Sequence, residues 1–291
     1  MEQCPIKEME IKFQCVMDTE NRLFEPVPAR QVKPEWYKKL PTLLPNGPRK
    51  DLETETIKKC PAMHDWLSMG YLIRNRHSVF VFIGHDGNEP VSISLPLKDD
   101  VTPEELKKLK ESETPVQLMA HSKGMILAEN EWLEGSQKHG GHPAVQVKGS
   151  SWDDKMCFKF KMDFLIETPK GTSCYYLDPF LFDNPYFQTW QGVIDTDNFN
   201  QLTTNNMLIF YPKVDNSFII PKGTPLVQIV PFVRYPWKHT VEFLSREELH
   251  EKFKKDFQGD LKKMNDREPL DDRNEFKQVY RKNWASKKEF K

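Results

Sequence analysis

Residues 157–168 read CFKFKMDFLIET, and apolar and polar side chains alternate along most of this stretch. Successive side chains of a β-strand point to opposite faces of the sheet. One face would carry Phe158, Phe160, Met162 and Phe164, and the other Lys159, Lys161 and Asp163. The pattern therefore predicts a strand with one buried and one polar face.

Five further apolar stretches separated by turn residues follow this one: SCYYLD, WQGVID, NMLIFY, SFIIP and PLVQIVPFVR. Short strands in such a succession predict a β-barrel or sandwich core over residues 156–234. Upstream, SVFVFIG and PVSISL flank the Asp86–Gly87 pair, which favours a hairpin turn.

Two helices are marked by capping boxes, in which a Ser or Thr and a Glu three residues later bind each other's backbone. Thr102 and Glu105 form the first, with Pro103 at the first helical position. Ser245 and Glu248 form the second, ahead of apolar residues at four-residue steps: Leu249, Phe253 and Phe257.

Composition predicts a folded cytoplasmic protein. Aromatic residues make up 12% of the 291 residues, which lies outside the disordered range. No apolar run reaches the roughly 18 residues that span a bilayer, so no membrane partner is expected. The five cysteines form no CxxC pair, which argues against a disulfide framework. The net charge of −1 gives no general attraction to nucleic acid.

These patterns divide the chain into three parts. Residues 1–150 form an N-terminal β-rich region, in which residues 21–50 are rich in proline and predict an extended arm over the same domain or a neighbouring subunit. Residues 151–240 form the strand-rich core, and residues 241–291 form a helical tail. The predicted fold class is α+β, rich in β-structure.

Three motifs in the core stand in a recognisable order: IETPKGTSCYYLDP, GVIDTDNFN and FIIPKGTPLVQIVPF. Together they resemble the core of the dUTP pyrophosphatase and dCTP deaminase superfamily. The resemblance implies a dUTPase-like β-barrel in which Asp195 orients or deprotonates the attacking water. It also implies that the hairpin of Gly192, Val193 and Ile194 reads the pyrimidine, and that Gln228 takes the place of the family's glutamine.

The same segment looks like an uncharacterised family of phage and bacterial proteins, which implies a phage-associated protein in the host cytoplasm or the virion. The chain departs from the superfamily where Arg-Ser runs bind phosphate, since Phe180–Leu181–Phe182 stands there. A triphosphate needs such donors or a metal in a partly dry site. Asn198 replaces the family's stacking tyrosine, and Phe199 follows one place late.

Asp195 and Asp197 alternate at a strand end, so both carboxylates should point to the same side. Such a pair can hold a divalent cation or divide acid and base roles. The alternative is structural: Asp195 accepts backbone N–H bonds at a tight hairpin, and Asp197 is solvated.

His139 and His142 flank a Gly–Gly pair and could bind one divalent metal, which Asp195 or Asp197 would complete. The alternative is a polar surface loop. The aromatic residues Tyr175, Tyr176 and Trp190 would line a ligand pocket or a protein interface, or pack in the core.

The leading hypothesis is a non-enzymatic binding or assembly protein, with a protein partner or a second copy of itself. It rests on the missing phosphate donors, the proline-rich arm and the aromatic loops. The alternative is an enzyme: either a nucleotide hydrolase or deaminase with Asp195 as water-orienting base, or a metal-dependent enzyme using His139, His142 and an aspartate.

Overall fold

A computed structural model describes residues 9–15, 24–44, 54–87, 89–127, 157–162, 164–198 and 207–262. The fold is mixed α+β, with more residues in strands than in helices. The strands are β1 (Lys12–Gln14), β2 (Val27–Pro28), β3 (Leu43–Leu44), β4 (Thr54–Glu55), β5 (Tyr71–Arg74), β6 (Val79–Asp86), β7 (Glu89–Pro96), β8 (Phe158–Lys161), β9 (Leu165–Glu167), β10 (Thr172–Leu177), β11 (Phe187–Thr189), β12 (Gly192–Ile194), β13 (Met207–Pro212), β14 (Phe218–Ile220) and β15 (Pro225–Val233). The helices are α1 (Glu35–Lys39), α2 (Pro61–Ser68), α3 (Pro103–Lys110), α4 (Pro115–His121) and α5 (Arg246–Lys262).

The chain folds into two compact units, each built from two separate stretches of sequence. The first unit comprises Met1–Val32 with Gly70–Arg234, and the second comprises Lys33–Met69 with Tyr235–Lys291. In the first unit, β5 from the N-terminal region pairs with β15 in the same sheet as β10. The three-part division drawn from the sequence stays a prediction.

The strands of the first unit lie in separate sheets. The largest has the order β12-β10-β15-β5-β2, beside β11-β13-β8, β14-β6-β7 and the pair β1-β9. The predicted closed barrel is therefore wrong for the described residues. The reason lies at β11 and β12, since these neighbours in sequence pair with β13 and β10 in two different sheets.

The hairpin of β6 and β7 lies between two apolar clusters. Val79 and Val81 on β6 pack into one cluster, and Phe80 and Phe82 pack into the other. All four side chains are fully buried, which explains the continuous apolar run in place of an alternating one. The predicted hairpin is confirmed, with Gly87 at φ +63° in its turn.

The opening stretch, residues 157–168, supplies two strands where the alternation predicted one. β8 pairs with β13, and β9 pairs with β1 in another sheet. The predicted apolar face is nevertheless buried at the described side chains of Phe158, Met162 and Phe164. The alternation thus predicted the burial but not the change of sheet after Lys161.

Both capping boxes are confirmed. The Thr102 hydroxyl accepts from the Glu105 N–H at 3.3 Å, and the Glu105 carboxylate accepts from the Thr102 N–H at 2.8 Å. The same exchange joins Ser245 and Glu248, at 3.2 and 2.8 Å. No helix in the described part of the chain combines the length and apolar character needed to cross a membrane.

The second unit contains α1, α2, α5 and the two-stranded sheet β3-β4. Helix α1 interrupts the predicted extended arm because Pro34 stands at its N-cap and no proline follows before Pro41. Its Tyr37 ring is buried, and the ammonium groups of Lys33 and Lys58 lie 5.9 and 5.7 Å from the ring centroid. These cation–π contacts stabilise the short helix locally.

Candidate functional site

Asp195 and Asp197 converge on one guanidinium group, that of Arg234. Nη1 of Arg234 lies 2.8 Å from Oδ1 of Asp195, and its Nη2 is paired with Oδ2 of Asp197. The Ser173 hydroxyl donates to Oδ1 of Asp195 at 2.6 Å and accepts from Nη1 of Arg234 at 3.0 Å. We call Asp195, Asp197 and Arg234 the ion cluster.

The register of the five-stranded sheet assembles this cluster. β10 is central to it and pairs antiparallel with β12 on one side and β15 on the other. The end of β12 and the end of β15 thus lie on either side of the start of β10. There the Arg234 N–H donates to the Gly171 carbonyl at 2.8 Å, which carries the pairing one step beyond β15.

In the structural alternative drawn from the sequence, Asp195 accepts backbone N–H bonds and Asp197 is solvated. The structure has these two roles exchanged. The Asp197 side chain has 0% exposure and accepts the Gly171 N–H at 2.6 Å, whereas the Asp195 side chain is 53% exposed. The turn after β12 explains this, because its buried Thr196 shares a hydrogen bond with Thr168 at 2.6 Å. Within the described residues β12 pairs with β10, and the predicted hairpin around GVID stays a prediction because the residues that follow Asn198 lie outside the described part.

The electrostatics of the cluster are set by one guanidinium shared between two carboxylates. The Ser173 hydroxyl, and then the Arg234 guanidinium, hold the pKa of Asp195 below its ordinary value. The same carboxylates raise the pKa of Arg234. Two carboxylates and one guanidinium leave a net charge of −1. This net negative charge opposes the binding of a phosphate.

One carboxylate oxygen of the cluster lacks a hydrogen bond. Oδ1 of Asp197 is buried and has no partner among the described residues. A buried acceptor left unsatisfied costs about 1–3 kcal/mol. The two partners of Oδ2 must offset that cost.

The predicted metal ligands His139 and His142 lie outside the described residues, as does Phe199. Where the chain is described, no three His, Cys, Asp or Glu side chains are grouped so as to hold a metal ion. The proposed completion of a metal site by Asp195 or Asp197 stays a prediction.

The predicted ligand-binding residues divide between the core and the surface. Tyr176 is buried in the core, where burial raises the pKa of its hydroxyl. Gln228 is also buried, and its Oε1 accepts from the Phe180 N–H at 3.2 Å. Ile194 packs against the same core, and Trp190 stacks on Tyr211 with ring centroids 4.9 Å apart.

Gly192, Val193 and Tyr175 are exposed, and Val193 and Tyr175 project from the outer face of the five-stranded sheet. Val193 is 55% exposed and stands directly opposite Tyr175 across β12 and β10. The Tyr175 ring stacks on Phe232 of β15, with centroids 4.2 Å apart. We call Val193, Tyr175 and Phe232 the outer patch. It ends at the ion cluster, since Ser173 stands opposite Phe232.

A second exposed apolar feature, in the second unit, was missed from the sequence. Residues 235–243 read YPWKHTVEF, and all of them are exposed, with Trp237 at 90% and Phe243 at 93%. Apolar side chains stand two or four residues apart here, at Tyr235, Trp237, Val241 and Phe243. We call residues 235–243 the alternating segment. Its alternation could have indicated the exposed apolar feature, but the predicted strand ended at Arg234. The register that brings Arg234 and Ser173 to Asp195 had no local signal.

The first unit thus carries an ion cluster and an apolar patch on an edge strand, and the second unit carries an exposed alternating segment. The resemblance to the dUTP pyrophosphatase and dCTP deaminase superfamily rests on three motifs alone. Neither a protein-family model nor a curated protein matches the chain.

Proposed function

We propose that this protein is a non-enzymatic assembly protein whose partner is a second copy of the same chain. The observation that carries the proposal is the alternating segment, residues 235–243. Its three aromatic side chains are among the most exposed apolar groups of the described chain. Exposed apolar surface of this extent is typical of an interaction site.

The area of the segment is adequate for an oligomer. An aromatic side chain buries about 150–250 Å² when it is covered, so Tyr235, Trp237 and Phe243 offer roughly 450–750 Å² per copy. Reciprocal contacts between two copies double this to roughly 900–1,500 Å², before the surface of the partner is counted. Stable interfaces bury about 1,200–2,000 Å² in total.

The state of Asp195 favours assembly over catalysis. A general base works best when its pKa lies near the working pH. Oδ1 of Asp195 already accepts from Ser173 and Arg234, and both lower its pKa. The Arg234 guanidinium, the nearest donor for a phosphate, is held by two carboxylates.

The dUTPase-like core and the phage-associated setting implied by the resemblance belong to this proposal as well. A fold of that kind can be reused without its chemistry. In this reading the GVID motif supplies an edge strand and a structural turn, and the nucleotide site is lost.

Sedimentation velocity over a range of concentrations tests the proposal. The wild-type chain is expected to associate, and the double variant W237S/F243S is expected to stay monomeric. The matched control K238S/T240S changes the polar side of the same segment and should associate like the wild type. A wild-type chain that remains monomeric at every concentration, or an apolar variant that associates normally, contradicts the proposal.

The enzyme alternative has a separate readout in thermal melting with a panel of nucleotides, with and without Mg²⁺. A ligand at 100 times its dissociation constant adds about 2.7 kcal/mol to the free energy of unfolding. No shift is expected. A nucleotide that raises the melting temperature of the wild type but not of Asp195→Asn would favour the enzyme.

A further inference from the structure

The alternating segment has the sequence of a β-strand, but it pairs with no strand in the described part of the chain. In residues 237–243, Trp237, His239, Val241 and Phe243 fall on one side of an extended chain, and Lys238, Thr240 and Glu242 fall on the other. Aromatic and β-branched residues of this kind are enriched in strands. Seven residues also exceed the usual strand length of about 5–6.

The backbone of this segment has unused hydrogen-bonding capacity. No backbone hydrogen bond joins residues 235–243 to another described residue, and the segment lies in no helix or strand. Pro236 precedes the stretch, where a missing N–H does not interrupt a ladder. The amide and carbonyl groups of residues 237–243 are therefore available to pair with a sheet edge.

Among the described strands of the five-stranded sheet, the three-residue edge strand β12 is the better candidate for pairing. This strand stands at the end of the sheet order and has β10 as its neighbour. It carries no charge and no proline, two of the devices by which edge strands usually avoid pairing. The opposite edge, β2, is two residues long and includes Pro28, which has no N–H to donate.

The outer patch adds an apolar surface beside this edge. Val193 projects from β12 itself, and the stacked rings of Tyr175 and Phe232 continue the surface across the next two strands. A strand added beside β12 would lay its apolar side chains against Val193. Main-chain bonds would then supply affinity, and the apolar row would fix the register.

From these features we propose that residues 237–243 of one copy add as a β-strand to the free edge of β12 in a second copy. This proposal rests on self-assembly as the function. Residues 237–243 are the donor strand, and β12 is the acceptor edge.

The donor is tested with the variant H239P/T240P. Two adjacent prolines remove N–H groups on both sides of the strand and leave every apolar side chain in place. The matched control H239S/T240S changes the same side chains and keeps both N–H groups. In sedimentation velocity the proline variant is expected to weaken association by roughly tenfold or more, and the serine control is expected to match the wild type.

The acceptor is tested with Val193→Lys against Val193→Ile. Because Val193 is mostly exposed, neither variant should lower the melting temperature appreciably. A lysine at the edge is expected to weaken association by a similar factor, while isoleucine keeps it.

Mixing the two defective proteins distinguishes donor and acceptor roles. V193K retains an intact donor strand, and H239P/T240P retains an intact edge. Their mixture should regain association that neither shows alone, with slowed amide hydrogen exchange at residues 237–243.

The outcomes separate the two proposals. If the wild type associates and the proline variant associates equally well, strand addition is overturned while self-assembly stands. The same holds if V193K associates normally or the mixture shows no recovery. A wild type that stays monomeric overturns both.

Discussion

Asp197→Ala tests whether the ion cluster holds the turn after β12 in place. The substitution removes two charge-assisted hydrogen bonds, from the Gly171 N–H and from the Arg234 guanidinium. Such bonds contribute about 1.5–3 kcal/mol each. Because the Arg234 side chain is 32% exposed, its bond belongs at the low end, about 1.5 kcal/mol, and the Gly171 bond nearer about 2.5 kcal/mol.

One gain offsets part of this loss. Alanine also removes Oδ1 of Asp197, which is buried without a partner. Relief of that unsatisfied acceptor returns about 1.5 kcal/mol, so the net loss is about 2.5 kcal/mol. A unit of this size loses about 2–4 °C of melting temperature per kcal/mol. The expected fall is therefore about 5–10 °C.

Thermal melting at neutral pH measures this effect, with Asp195→Ala as the matched control. Asp195 is half exposed, and its loss leaves Asp197 paired with Arg234, so the control should fall by less. If Asp195→Ala lowers the melting temperature as much as Asp197→Ala, the buried carboxylate is not the one that holds the turn.

Three further predictions are tested by thermal melting or urea denaturation. The pKa of Asp195 is lowered in the folded state, so the stabilisation that its carboxylate provides is present above the ordinary aspartate pKa and is lost as the pH falls through the folded pKa. On acidification, the melting temperature of the wild type should therefore fall more than that of Asp195→Asn. Parallel curves of melting temperature against pH would refute this. Thr102→Ala removes the cap of α3 and should cost about 1 kcal/mol, measured by urea denaturation; an unchanged midpoint would mean the cap contributes nothing. Gly70→Ala, at φ +66°, places a Cβ 2.0 Å from the Ile229 carbonyl oxygen and should prevent folding of the sheet. Gly124→Ala, at φ +83° in open space, should lower the free energy of unfolding by only about 1 kcal/mol. Equal effects of the two substitutions would show that the backbone near Gly70 can move to accommodate the Cβ.

Sequence patterns predicted the features that depend on neighbouring residues. The hairpin at Gly87 and the capping boxes of Thr102 and Ser245 are each specified within a few residues. The apolar face of residues 157–168 is also local, because alternation fixes which side of the chain is buried. These predictions needed no knowledge of which strands pair.

The ion cluster could not be predicted without knowing which strands pair. Gly171 and Asp197 are 26 residues apart, and Asp197 and Arg234 are 37 apart. Their contact follows from the pairing of β12 and β15 on either side of β10, which no local pattern encodes. The closed barrel failed for the same reason, since alternation says nothing about which sheet a strand joins.

The alternating segment is the place where sequence and single-chain structure disagree. A linker between a sheet and a helix would be expected to carry small or polar residues, whose exposure costs little. Residues 235–243 instead carry Tyr, Trp, Val and Phe on an alternating pattern and leave them in solvent. Leu249 and Phe253 of α5, two residues of the predicted amphipathic stripe, are also exposed. The sequence thus predicts a strand and an apolar helix face whose described apolar side chains are exposed in one copy. A second copy that covers them would explain the pattern, because the apolar area then leaves water only on association.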